Sequence, residues 1–299
     1  MSQSSIEAIQ ARITDEIFFA LGFNRSGFLR HLFGWLFYWP TYRFARLFAK
    51  ADEVVKEGGL PAGSLFLIQE FSINLLVHGA EAIPDKGPLL LIANHPGAHD
   101  AMAIAAKSPR PDLKILVSET GFYYTLTNAK EHLIFVANEA ERRMLSLRQA
   151  IRWLERGGAI LQFATGTLDG DPALEENKEE WLQNWSSSLE LMLRQVPETK
   201  IVLTAVSHVL LRRFFYHPLV RLYRKPVMRR RLAEFLQVIH QLIWPKSVKV
   251  GARVSFAQPL QASELQATAQ ESRLLTILID RARHHFRKHL AFNWEEEGH

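Results

Sequence analysis

From about residue 64 onward, short and nearly unbroken apolar runs alternate with stretches of helical spacing. No other feature restricts the fold as strongly. The runs fall at 73–78, 88–93, 113–118, 133–137, 159–163, 201–206 and 248–256. A strand that is apolar on both faces must be covered on both faces, as happens in a parallel sheet lying between helices. Between the runs, residues 141–155 place Met144, Leu147, Ile151 and Leu154 on one helical face, and Gly157-Gly158 stops that helix. Residues 176–195, 228–243 and 265–290 read as further helices. The expected fold is therefore α/β: a mixed, largely parallel sheet flanked by helices. At 299 residues there is room for one large domain or two small ones.

The start of the chain reads differently. Twelve of the 32 aromatic residues lie between positions 18 and 48, and the charges from 17 to 50 are Arg25, Arg30, Arg43, Arg46 and Lys50, with no acid. Gly22, Gly27, Gly34 and Pro40 suggest two or three short helices in this N-terminal aromatic segment. Helices rich in Phe and Trp, with arginines in reach of lipid phosphates, suit the plane of a membrane interface; a buried aromatic cap is the competing reading. The expected division is 1–63 as amphipathic helices that dock on a membrane or cap the rest, and 64–299 as the α/β domain. No stretch has the ~18 uncharged apolar residues of a spanning helix; the nearest, 17–39, is interrupted by Arg25, Arg30 and His31. Residues 1–15 lack the pattern of a secretory signal, so the expected location is cytoplasmic, peripheral on the inner face of a membrane.

Chemistry concentrates after the second apolar run, in Asn94-His95-Pro96-Gly97-Ala98-His99-Asp100. In an open α/β sheet, sites are built at the carboxyl ends of strands. Pro96 and Gly97 force a tight turn and let a ligand approach the backbone. Asp100, at the start of a helix, is placed to fold back and hold the His95 ring in one tautomer, so that His95 can take a proton from a hydroxyl. The chain has no cysteine, which excludes disulfides, thiolate metal sites and a cysteine nucleophile. A histidine–carboxylate pair without a nucleophile beside it suits direct transfer better than a covalent intermediate.

Asn94, His95 and Asp100 match the first block of the glycerolipid acyltransferase family, Asn-His followed by four residues and Asp. The segment resembles those enzymes in further blocks, in the right order from about Leu75 to Val206. The 133–137 run falls at the second block, Phe163-Ala-Thr-Gly-Thr-Leu-Asp169 at the third, and Val202-Leu-Thr-Ala-Val206 at the closing one. The resemblance implies His95 as general base and Asp100 as its orienting partner. It implies an acyl group passing from acyl-CoA or acyl carrier protein, as co-substrate, to a hydroxyl of a glycerolipid or lysophospholipid, with no other cofactor. Asn94 would stabilise the turn or donate on the oxyanion side. Gly97, Thr165, Gly166 and Thr167 would form the substrate side. The departures are Thr165 in place of Glu, Leu168 in place of an Arg credited with holding phosphate, and Asn138 near another usual Arg. Neither Leu nor Asn reproduces a bidentate grip. Arg142 and Arg143 lie one helical turn away and are the candidate substitutes. The rival of a different class is a non-catalytic lipid-binding or membrane-scaffold protein on the same fold.

His95 and His99 are four apart, as metal ligands on a helix are, but Pro96 leaves His95 outside the helix. A second such pair, His285 and His289, sits among Arg281, Arg283, Arg287 and Lys288, which disfavours a cation; no metal is expected. Arg212, Arg213, Arg221, Arg224, Lys225, Arg229, Arg230 and Arg231 lie in an acid-free stretch, 201–233, interleaved with Phe214, Phe215, Tyr216 and Tyr223. An anionic lipid surface or a phosphate-bearing thioester carrier fits this run best, ahead of a solvated face; no nucleic-acid motif accompanies it.

Overall fold

The computed structural model describes residues 3–20, 28–177, 179–268 and 274–294. The chain begins with helices α1 (Gln3–Ala20) and α2 (Phe28–Glu70), then β1 (Leu76–His78), β2 (Leu89–Ala93), α3 (Asp100–Ala105), β3 (Lys114–Ser118) and β4 (Leu133–Val136). Next come α4 (Ala140–Glu155), β5 (Ala159–Phe163), α5 (Ser187–Gln195), β6 (Lys200–Ser207), α6 (Arg212–Phe215), α7 (Pro218–Arg221) and α8 (Pro226–Ile243). The remainder is β7 (Arg253–Phe256), β8 (Leu260–Gln261), α9 (Ala262–Thr268) and α10 (Leu274–Ala291).

The strands form one sheet in the order β1-β7-β6-β2-β5-β3-β4, with β8 beside the start of β6. Pairing is parallel except where β7 and β8 meet β6. This is the mixed, largely parallel α/β sheet expected. β2 lies at the centre and is buried along its whole length. Leu89, Leu91 and Ala93 face a core built with α2 and α3, whereas Leu90 and Ile92 face one built with α4, α5 and α10. Two-sided burial is the physical reason the run carries no polar alternation. β3 and β5 pair only at Lys114↔Ile160 and Ile115↔Leu161, although both strands continue. Beyond those pairs the strands part and leave a slot near their carboxyl ends.

Two helical expectations are corrected. The N-terminal segment is not a set of short helices: α2 continues through Gly34 and Pro40. The Thr41 hydroxyl, 2.7 Å from the Phe37 carbonyl and 3.1 Å from that of Tyr38, adds a donor to the turn that proline disturbs. The break comes instead at Gly59, at φ 69°, where a Cβ would meet the Pro111 carbonyl oxygen at 2.7 Å. Gly22 and Gly27 lie outside the described residues. The helix expected over 176–195 is confined to Ser187–Gln195, where Ser186 caps the Ser188 amide; only Glu180–Leu182 before it forms a short 3-10 turn. The final helix is described as α9 and α10, with 269–273 outside the described residues.

Residue 63 falls inside α2, and Ile9, Phe44, Ala45 and Ala49 belong to the same buried cluster as Leu89 and Leu91. Asp52 ties α2 to the rest. Its carboxylate accepts from the amides of Thr127, Asn128 and Ala129 and from two side chains of that loop. The first helices are therefore packed onto the α/β body, while Trp35, Leu36, Tyr38 and Trp39 remain exposed. Among the described residues, no helix is long and apolar enough to cross a membrane.

Candidate active site

Two residues beyond the end of β2, the chain turns through Pro96-Gly97 into α3. His99, at the cap position of α3, gives it no side-chain bond. The turn is closed by Asp100 itself, whose Oδ2 accepts the Gly97 amide at 3.0 Å and whose Oδ1 accepts the Ala101 amide at 2.5 Å. The same Oδ2 lies 2.8 Å from His95 Nδ1. Asp100 is fully buried, whereas the His95 side chain is 29% exposed. The ring stacks on Phe163 of β5, with centroids 4.1 Å apart and planes at 14°. One nitrogen thus faces a fixed carboxylate, leaving Nε2 as the atom free to exchange a proton with a bound group.

His95 is also held through its backbone. Its amide donates to Asp169 Oδ2 at 2.8 Å, and the Asp169 amide donates to the His95 carbonyl at 2.7 Å. Thr165 Oγ1 lies 2.9 Å from Asp169 Oδ1. The first and third sequence blocks are therefore laced together.

The electrostatics follow from this packing. Burial pulls the His95 pKa down, but the Asp100 carboxylate, its hydrogen bond and the charges of Glu234 and Asp169 overcome it and raise the ring to about 9. Burial pushes Asp169 up to about 6 against the bonds from the His95 amide and Thr165. It pushes Glu234 up to about 7, although His95 nearby favours the carboxylate.

His95 and Asp100 open on a cavity of about 710 Å³. Phe44, Phe48, Val55, Leu60 and Leu67 of α2 line one arm. The cavity passes between the parted ends of β3 and β5, where Leu116, Ser118, Gln162 and Phe163 border it, to Met144, Leu147 and Leu191 on the far side of the sheet. Its volume lies within the ~300–1,000 Å³ typical of small-molecule sites.

The candidate residues divide around it. Gly166 and Arg143 border the cavity together with His95 and Asp100. Gly166 has φ 67°, which favours glycine, and its backbone is exposed. Asn94 does not face the cavity. It is fully buried, with Nδ2 donating to the Val206 carbonyl at 2.9 Å and Oδ1 accepting the Val206 amide at 2.8 Å. Those bonds tie the end of β2 to β6, away from the cavity and outside the turn that Asp100 closes. The Gly97 amide is committed to Asp100. Thr165 and Thr167 bond mainly to each other and to Asp169. Arg142 is drawn to Glu119 and Glu139, and Arg143 Nη2 bonds the Asn138 carbonyl. Beside Leu168, Arg230 reaches the Leu168 carbonyl but is paired with Glu175 at 2.7 Å and Glu180 at 2.6 Å. His99 does not compete for Asp100: its Nε2 lies 2.9 Å from Gln241 Oε1.

Sequence reasoning left out Asp169 and Glu234. Asp169 closes the third block and carried a signal there. Glu234 is the first acid after the acid-free stretch 201–233, a weak signal.

The fold is thus a largely parallel α/β sheet with a carboxylate-paired histidine just beyond the carboxyl end of its central strand. Residues 74–209 match the family model described as Acyltransferase. Among solved structures, the chain is similar to the 1-acyl-sn-glycerophosphate (LPA) acyltransferase PlsC from Thermotoga maritima. The identity is 14%, the match covers 84% of this chain and 83% of that one, and the TM-score is 0.47. The comparison with curated proteins gives no match.

Proposed function

We propose that the protein transfers a fatty acyl group from the thioester of acyl-CoA or acyl carrier protein to a hydroxyl of a glycerolipid or lysophospholipid. His95 acts as general base and Asp100 orients it. The observation that carries this reading is the 2.8 Å Nδ1–Oδ2 contact at the wall of a largely apolar cavity. In the step itself, His95 Nε2 takes the acceptor proton and the alkoxide oxygen attacks the thioester carbonyl. The tetrahedral intermediate collapses with loss of the thiolate, which receives the proton back from the imidazolium. The Gly166 loop borders the same cavity, with its own amide turned to the Phe163 carbonyl at 3.1 Å. The acyl chain lies along the apolar arm shared with α2. Wild-type protein incubated with labelled acyl-CoA or acyl carrier protein and a lysophospholipid panel should form diacyl product. Absence of product with every donor and acceptor would leave the scaffold reading in its place.

The protein works at a membrane surface, on the inner, cytoplasmic face. Two exposed patches support this. One is Trp35, Leu36, Tyr38 and Trp39 on α2; the other is Leu219, Leu222, Tyr223, Val227 and Met228, set among Arg221, Arg224, Lys225, Arg229 and Arg231. Trp35 and Leu222 are each 76% exposed, apolar surface that a membrane interface would cover. In flotation, the protein should rise with anionic vesicles and release as salt increases. Trp35→Glu with Trp39→Glu should lower the bound fraction several-fold; undiminished flotation would make the α2 patch no more than an exposed cap.

A further inference from the structure

The charges around the cavity point to the kind of acceptor, an inference that rests on the acyl transfer proposed above. A phosphate monoester beside the reactive hydroxyl would need an arginine or lysine there; Arg142 and Arg230 are paired with acids, and Arg143, bonded to the Asn138 carbonyl, stands on the α4 flank of the cavity. Leu168 and Asn138 carry no charge; Arg142 is held by Glu119 and Glu139, and Arg230 by Glu175 and Glu180. Among the described residues lining the cavity, the cationic side chains are His95 and Arg143. Arg143 lies on α4 beside Met144 and Leu147, on the flank formed by that helix.

The acids are distributed the other way. Asp52, Asp100 and Glu234 line the cavity. Asp52 is saturated by the 127–129 loop, and Asp100 by His95, Gly97 and Ala101. Glu234 comes from α8, takes the Ala98 amide, and faces His95 and Asp100, with Arg231 also near it. A carboxylate has room for about four donors, so Glu234 retains acceptor capacity toward the cavity. Asp169, behind His95, adds to the negative field.

We infer that the acceptor presents an ammonium group rather than a phosphate monoester near its reactive hydroxyl, and that Glu234 is the specificity-determining residue that holds it. A charge-assisted hydrogen bond of this kind changes binding by about 10- to 100-fold, and repulsion from the same carboxylate disfavours a phosphate dianion.

The test compares lysophosphatidylethanolamine with lysophosphatidic acid of the same acyl chain, which differ at the head group. The full-length wild type should show kcat/KM at least about tenfold higher for the amine-bearing lipid. Glu234→Gln should erase that preference by raising the KM of the amine-bearing lipid relative to lysophosphatidic acid, a difference between acceptors that a shared change in kcat through the His95 ring leaves readable; Glu234→Asp should restore part of it. Equilibrium binding to the His95→Ala protein reads the same preference without turnover, so a loss of catalysis is separable from a wrong acceptor. Preference for lysophosphatidic acid, or an equal effect of Glu234→Gln on both lipids, overturns the inference while leaving acyl transfer intact. If wild type transfers to neither lipid and the His95→Ala protein binds both alike, it is overturned as well.

Discussion

His95→Ala is expected to lower acyl transfer by roughly 10²–10⁴-fold, the contribution of a positioned general base. The loss should appear in kcat with little change in KM, because the ring contributes a proton acceptor rather than the walls that hold the chain. Labelled acyl-CoA and a saturating acceptor give the rate, and circular dichroism verifies the fold. The variant has a second signature in stability. The folded-state pKa of about 9 lies above the ordinary 6.5, so the His95⁺–Asp100⁻ pair stabilises the folded chain fully below about pH 6.5 and ceases to do so as pH rises through 9. The gap in melting temperature between wild type and variant should accordingly narrow in alkaline buffer. Turnover by the variant at the wild-type rate would remove His95 from the chemistry.

The second large effect belongs to Asp100→Asn. Asp100 accepts three hydrogen bonds, from His95, Gly97 and Ala101. An amide of the same shape offers one acceptor oxygen, so its NH₂ group must face at least one donor, and the ring loses its tautomer lock. A drop of about 10²-fold or more is expected. The pH profile gives the diagnostic. In wild type, the base is protonated at neutral pH, and kcat/KM should climb close to tenfold per pH unit before levelling near pH 9. With the carboxylate's charge removed, burial acts on the ring with less opposition, and the rising limb should move to lower pH. A limb that stays near 9 in Asp100→Asn would mean that another group titrates.

How far the sequence reveals this molecule depends on the range of the interaction concerned. The run 159–163 coincides with β5 because burial on both faces writes itself into every residue. His95 and Asp100 were legible for a similar reason: five positions and one turn bring them together, so spacing alone implies the contact. The stretch before α5 was not legible. It reads as helical, yet Trp181 and Trp185 are buried against α10 and its neighbours while Glu180 is drawn to Arg230 from α8. Long-range partners there outweigh local propensity. Arg142 illustrates the same limit at the site, since its pairing with Glu119 arises only when β3 and α4 are adjacent. Glu234 reaches the cavity from a helix whose preceding turns are basic, and no local pattern announces it.

The double tie between His95 and Asp169 has an evolutionary and practical corollary. Residues 94–100 and 165–169 behave as one inheritable cassette, because a side chain in the second segment completes the peptide plane of the first. Chimaeras that import only the third block from a relative ending it in another residue should lose the acceptor of the His95 amide and misalign the ring. Transplanting both pieces together should preserve its pose.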